Sequence, residues 1–138
     1  MPTFASVEWL DAYKEAINAS PEIAEAAKDW ERDIVIVVEA DPDHGIPFDL
    51  WALFDISHGK VREARLVTQE EADRATYVIS GAYAQWKDVV RGRVDPIKGM
   101  LQGKLKVKGD VHTLAKEVRA AEALVKAARG ITSRFPDD

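Results

Sequence analysis

The 138-residue chain reads as an α+β fold: a five-stranded, mostly antiparallel sheet with about five helices gathered on one side. Three observations predict it. Helical periodicity dominates both ends of the chain. Three β-patterned segments follow one another between residues 33 and 67 with short links, which implies an antiparallel meander. The segment Gly103-Lys-Leu-Lys-Val-Lys-Gly109 alternates strictly. Lys104, Lys106 and Lys108 take one face of a strand there, and Leu105 and Val107 the other.

In chain order, Ser6 can cap a first helix running to about Asn18, with Val7, Leu10, Tyr13 and Ile17 at helical spacing. Ser20-Pro21 reads as the N-cap and first residue of a second helix, whose apolar face holds Ile23, Ala26, Ala27 and Trp30. Asp33–Ala40 is β-branched and nearly apolar, the composition of a central strand covered on both faces. Asp41–Pro47 is turn chemistry. In the strand Phe48–Ile56, Phe48, Leu50, Ala52, Phe54 and Ile56 share one face, while Asp49, Trp51, Leu53 and Asp55 share the other. Ser57-His58-Gly59 turns the chain into a third strand, Lys60–Val67.

Gln69–Arg74 is a polar link, and Ala75–Gly81 a fourth strand. Tyr83, Trp86, Val89 and Val90 mark a helix ended by Gly92. Asp95-Pro96 opens a short helix with Ile97, Met100 and Leu101 on its apolar side, and Gly103 stops it before the lysine strand. A last helix, capped by Asp110, runs from Val111 to Arg129 with Leu114, Val118, Ala121, Leu124 and Val125 as its stripe, and Gly130 ends it. Disorder is expected in the first few residues and in Arg134–Asp138. The whole reads as one domain over residues 1–138.

Composition narrows the function. A net charge of −5 speaks against a general nucleic-acid binder, which carries a basic footprint. The chain has no cysteine, so disulfides, thiolate catalysis and cysteine metal sites are excluded. The N-terminus has no signal-peptide pattern. The longest apolar run, Ile34–Val38, is far short of the ~20 residues that span a bilayer. The last residues, ending in Pro136-Asp137-Asp138, are no peroxisomal address. The expected location is the cytoplasm.

No catalytic constellation accompanies the fold. Gly99-Met-Leu-Gln-Gly103-Lys104 has three residues between its glycines, not the four of a phosphate loop, and Leu105 replaces the required Ser or Thr. His44, His58 and His112 lack a second ligand at helical spacing and read as surface residues. Asp49 and Asp55 read as edge or solvent-facing carboxylates, and Ser57 and Ser80 lack a nucleophile-elbow context. The three lysines fit either an anionic headgroup or a solubilised strand edge that blocks edge-to-edge pairing.

The stretch Ala75–Asp110 closely resembles the sterol carrier protein type 2 family, the sterol-transfer domain. The resemblance rests on Tyr77–Gly81, Trp86 to Gly92, Asp95-Pro96, Ile97–Leu101 and Gln102-Gly-Lys-Leu-Lys-Val-Lys-Gly-Asp110. It extends at pattern level over roughly residues 30–130, leaving residues 1–30 as a helical extension, and is that of a stand-alone, prokaryotic-type member. It implies a five-stranded mixed, mostly antiparallel sheet with helices on one face enclosing an apolar tunnel. It further implies non-catalytic binding and transfer or presentation of an apolar ligand: a fatty acid, acyl lipid, sterol or isoprenoid quinone. The tunnel wall would include Ile97, Met100, Leu101, Leu105, Val107, Leu114 and Val118, with Phe48, Leu50 and Phe54 added from strand face. No cofactor and no metal is implied. The partner is a lipid, joined in this reading by a second copy, a partner enzyme or a membrane met transiently. The alternative is an interaction or dimerisation module assisting an enzyme. With no charged anchor evident, headgroup discrimination is expected to be poor.

Overall fold

The computed structural model describes residues 3–132 and 134–138. Five strands, β1 (Glu31–Glu39), β2 (Leu50–Ser57), β3 (Lys60–Leu66), β4 (Tyr77–Ala82) and β5 (Lys106–Lys108), form one sheet in the order β3-β2-β1-β4-β5. β1 and β4 pair in parallel and every other pair is antiparallel. The sheet is therefore mixed, mostly antiparallel and centred on β1, the strand read as central. Val35 and Val37 are buried on one of its faces and Ile34 and Val38 on the other.

Among the described residues seven α-helices accompany it: α1 (Val7–Asn18), α2 (Pro21–Ala26), α3 (Gln69–Ala72), α4 (Tyr83–Val90), α5 (Pro96–Leu101), α6 (Val111–Ala115) and α7 (Val118–Ile131). The caps read from the sequence are in place. Ser6 accepts from Trp9 N–H, Ser20 from Ile23 N–H, Asp95 from Ile97 N–H and Asp110 from His112 and Thr113 N–H. Gly92, at φ +79°, follows the end of α4 in the left-handed conformation that stops it. The main core lies between one sheet face and α1, α2, α4 and α7. A smaller cluster of Val35, Val37 and Ala72 sits on the opposite face, where α3 packs.

Several boundaries differ from expectation. β2 begins at Leu50, and Phe48 is 75% exposed. Pro47 offers no N–H to a ladder, and the Asp49 carboxylate accepts from Ala40 N–H at 2.7 Å, holding this segment as a loop. The last helix is two: α6 and α7 break at Lys116–Glu117. The break shifts the helical phase, so α7 buries Ala120, Ala123 and Ala128 and leaves Val118 42% exposed. α7 also runs past Gly130 to Ile131. The polar link after β3 contains α3, capped by the Thr68 hydroxyl. β5 is only three residues long, so Lys104 lies outside the ladder.

The C-terminal residues are docked rather than disordered. Phe135 is 5% exposed and meets the Phe4 ring at 5.5 Å. Phe4 N–H donates to the Arg134 carbonyl at 3.0 Å, and Asp137 takes a hydrogen bond from the Tyr83 hydroxyl and an ion pair from Lys87 at 2.9 Å. Burial of the two phenylalanine rings opposes the chain entropy that would free this tail.

Candidate functional site

The helices do not close fully onto the sheet. They leave an apolar cavity of about 180 Å³. Its floor is the even-numbered face of the meander: Ile34, Ile36 and Val38 of β1, and Leu50, Ala52, Phe54 and Ile56 of β2. Strand alternation puts these seven side chains on one side. α1 contributes Leu10, Tyr13 and Ile17 of the stripe read from its spacing, together with Trp9, while Val7 of that stripe is 62% exposed. α4 contributes Trp86, Val89 and Val90; α7 contributes Ala121, Leu124, Val125 and Ala128.

Polar atoms of the wall are mostly turned to the protein. Tyr13 donates its hydroxyl proton to the Leu124 carbonyl at 2.8 Å, and its burial holds the phenol well above the usual tyrosine range. The Trp86 indole N–H donates to the Val37 carbonyl at 2.9 Å and the Trp9 indole N–H to the Thr132 hydroxyl at 2.7 Å. The aromatic rings thus present carbon to the cavity and bond outward. Among the described residues, Glu117, at the helix break, is the only charged one in the wall.

Of the ten residues expected in a wall, the structure brings together Leu50, Phe54, Ile97, Met100, Leu105 and Leu114. Val107 is half-buried against the core beside Ile79 and does not reach the cavity. Phe48, Leu101 and Val118 are 75%, 61% and 42% exposed and point outward. Face assignment misplaced Phe48 because the strand starts later, and Val118 because the helix breaks. Leu101 closes a helix of only six residues, too short to bury both sides. The α1 wall was legible as a helical stripe but was not assigned to a site, and of the last helix only Leu114 and Val118 were.

Residues weighed for catalysis do not converge. Asp49 caps the loop before β2, and Asp55 pairs with Arg62 at 3.0 Å. His44 binds Asp41 at 2.8 Å and His58 binds Glu31 at 3.0 Å. No group of acidic and histidine side chains able to hold a metal occurs among the described residues. Among them too, no helix is long and apolar enough to cross a membrane.

Residues 10–122 match the SCP-2 sterol transfer family. The chain belongs to that family. Two solved structures are similar at 34% identity. One, a sterol carrier protein 2, matches over 90% of this chain and 95% of its own with a TM-score of 0.81. The other, a conserved hypothetical protein from Thermus thermophilus, matches over 93% of this chain and 89% of its own with a TM-score of 0.83. Sterol carrier protein 2 from Yarrowia lipolytica in its apo form, at 19% identity over 94% of this chain and 95% of its own, shares the fold with a TM-score of 0.58. Among curated proteins nothing matches the chain. The family match spans β1 to β5 and most of the cavity wall.

Proposed function

We propose that this sterol-transfer family member binds a lipid in its apolar cavity and carries or presents it without chemically changing it. The cavity is the observation that carries the reading. A filled core would serve stability better, because each void forfeits dispersion contacts. At about 180 Å³ it exceeds a 150 Å³ apolar cavity able to hold benzene, and it is smaller than the roughly 300–1,000 Å³ of drug-sized sites. A ring or short alkyl segment fits as the fold stands; a sixteen-carbon tail enters by parting helices. Burying such a tail gives roughly 12 kcal/mol gross at ~0.8 per CH₂, against about 4–15 kcal/mol of association and ordering costs.

In this reading Leu50, Phe54, Ile97, Met100, Leu105 and Leu114 contact the tail together with the α1 and α7 stripes. Leu101 and Val118 serve differently. α5 touches both α6 and α7, and exposed Lys98, Lys104, Lys116 and Arg119 flank these outward apolar residues in sequence. That combination suits brief contact with an anionic lipid surface.

The test is extraction of the purified protein with organic solvent and mass spectrometry of what is released, against a mock purification. A stoichiometric acyl lipid, sterol or quinone is expected. A blank, with no uptake of a fluorescent fatty acid, would contradict the reading and favour an interaction module.

A further inference from the structure

Two buried side-chain nitrogens lack a hydrogen-bond partner among the described residues: Trp30 Nε1 and Arg32 Nη1. They are neighbours in space as well as in sequence. The Arg32 guanidinium carbon stands 4.4 Å from the centre of the Trp30 ring and 5.5 Å from that of Tyr77. Trp30 is 5% exposed and lines the apolar cavity. Arg32 pairs across the ladder with Ile56, another wall residue, and directly opposed residues project to one face. Arg32 therefore stands on the cavity side, at the β1 start.

The neighbouring carboxylates are engaged elsewhere. Glu31 meets His58 at 3.0 Å. Asp33 projects to the other face and accepts from Thr76 N–H at 3.0 Å and from its hydroxyl at 2.5 Å. Asp55 pairs with Arg62, and Glu63 with Arg65. A buried donor without an acceptor is unfavourable, the more so when charged, and native folds keep few of them. Both nitrogens are donors, so an acceptor complements them, and beside a guanidinium fork an anionic one does so best. The aromatic faces hold the guanidinium in place without neutralising it.

We propose that Arg32, with the Trp30 indole N–H, anchors the anionic head of an amphipathic ligand, a carboxylate or a phosphate, whose apolar tail occupies the cavity. The assignment rests on the lipid-binding reading above. It replaces the expected indifference to head groups with a preference for anions.

The full chain is titrated at pH 8 with four sixteen-carbon probes: palmitate, hexadecyl phosphate, hexadecanol and methyl palmitate. The wild type should bind at least one anion about tenfold or more tightly than the two neutral probes. Arg32→Met should erase that margin while leaving methyl palmitate affinity unchanged, and Arg32→Lys, which keeps charge but not the fork, should restore part of it. Palmitate ahead of hexadecyl phosphate assigns the carboxylate; the reverse assigns the phosphate. Should Arg32→Met fail to fold, Trp30→Phe removes one N–H and should narrow the same margin. Equal wild-type affinity for anionic and neutral probes, or an undiminished margin in Arg32→Met, overturns the anchor alone. Failure of the wild type to bind any of the four overturns the lipid-binding reading itself.

Discussion

Gly81 shows how closely single atoms are set around the cavity. A β-carbon on it would stand 2.6 Å from Leu105 Cδ2 and 3.2 Å from Trp86 Nε1. Leu105 is 1% exposed and Trp86 is fixed by its bond to Val37, so neither can yield freely. Gly81→Ala should cost about 1–3 kcal/mol by overpacking. A urea midpoint equal to that of the wild type would contradict this account of the contact. Met100 offers the converse case, since it is half-buried and its side chain can be changed without emptying the core. Met100→Lys brings an ammonium group to an apolar wall, where an unpaired charge is costly. Uptake of a fluorescent fatty acid should fall tenfold or more while thermal unfolding changes little. Unchanged uptake would remove α5 from the wall. Some of this scale was legible: the inward face of β2 follows from alternation alone. Arg32 was not, because an arginine among acidic residues reads as paired until the structure shows Glu31 and Asp33 bonded elsewhere.

Among the elements, the docked C-terminal residues make the most testable statement. Hydrogen bonds from the Tyr83 hydroxyl and Lys87 hold the Asp137 carboxyl down at about 2. A carboxylate whose folded value is depressed stabilises the fold above its ordinary unfolded value near 4, and that contribution fades as pH falls through about 2. The tail should therefore loosen between roughly pH 4 and pH 2. The protection of the Phe4 amide, bonded to the Arg134 carbonyl, measured against its intrinsic exchange rate at each pH, should fall over that window, and Asp137→Asn should remove that fall. A protection factor that stays constant in the wild type over the window would contradict the assignment. The sequence did not reveal this tail, because a short segment ending in two aspartates carries no periodicity and its partners lie far away in the chain. The α6–α7 break was hidden for the opposite reason. Residues 111–131 keep an unbroken helical pattern, and the contacts that separate the two helices, α6 with α5 and α7 with α1, α2 and α4, are with distant elements. The capped helices were legible because Ser or Asp before Pro or an apolar run is local chemistry that acts on adjacent N–H groups.

At the scale of the molecule, five strands and their helices form a shell around an apolar space of about 180 Å³. The meander was readable from two short links. The parallel pairing of β1 with β4 was not readable from alternation; resemblance to the family implied a mixed sheet without saying which strands run parallel. Whether the core is hollow lies beyond any pattern of apolar residues, since a filled and an unfilled core need the same side-chain types. The hollow core also makes stability depend on ligand. A lipid present at one hundred times its dissociation constant should add about 2.7 kcal/mol, a rise in Tm of about 10 °C for a chain of this size. Scanning calorimetry with and without palmitate checks it, and a melting temperature indifferent to a saturating probe would contradict it. The central claim, that this space receives the ligand, is tested most directly by filling it. Ala52 is 9% exposed, sits on the central meander and lines the cavity. Displacement titration of a fluorescent sixteen-carbon acid should show one equivalent bound by the wild type and at least tenfold weaker binding by Ala52→Phe with its fold intact. Equal binding by both proteins would place the ligand elsewhere and contradict the account.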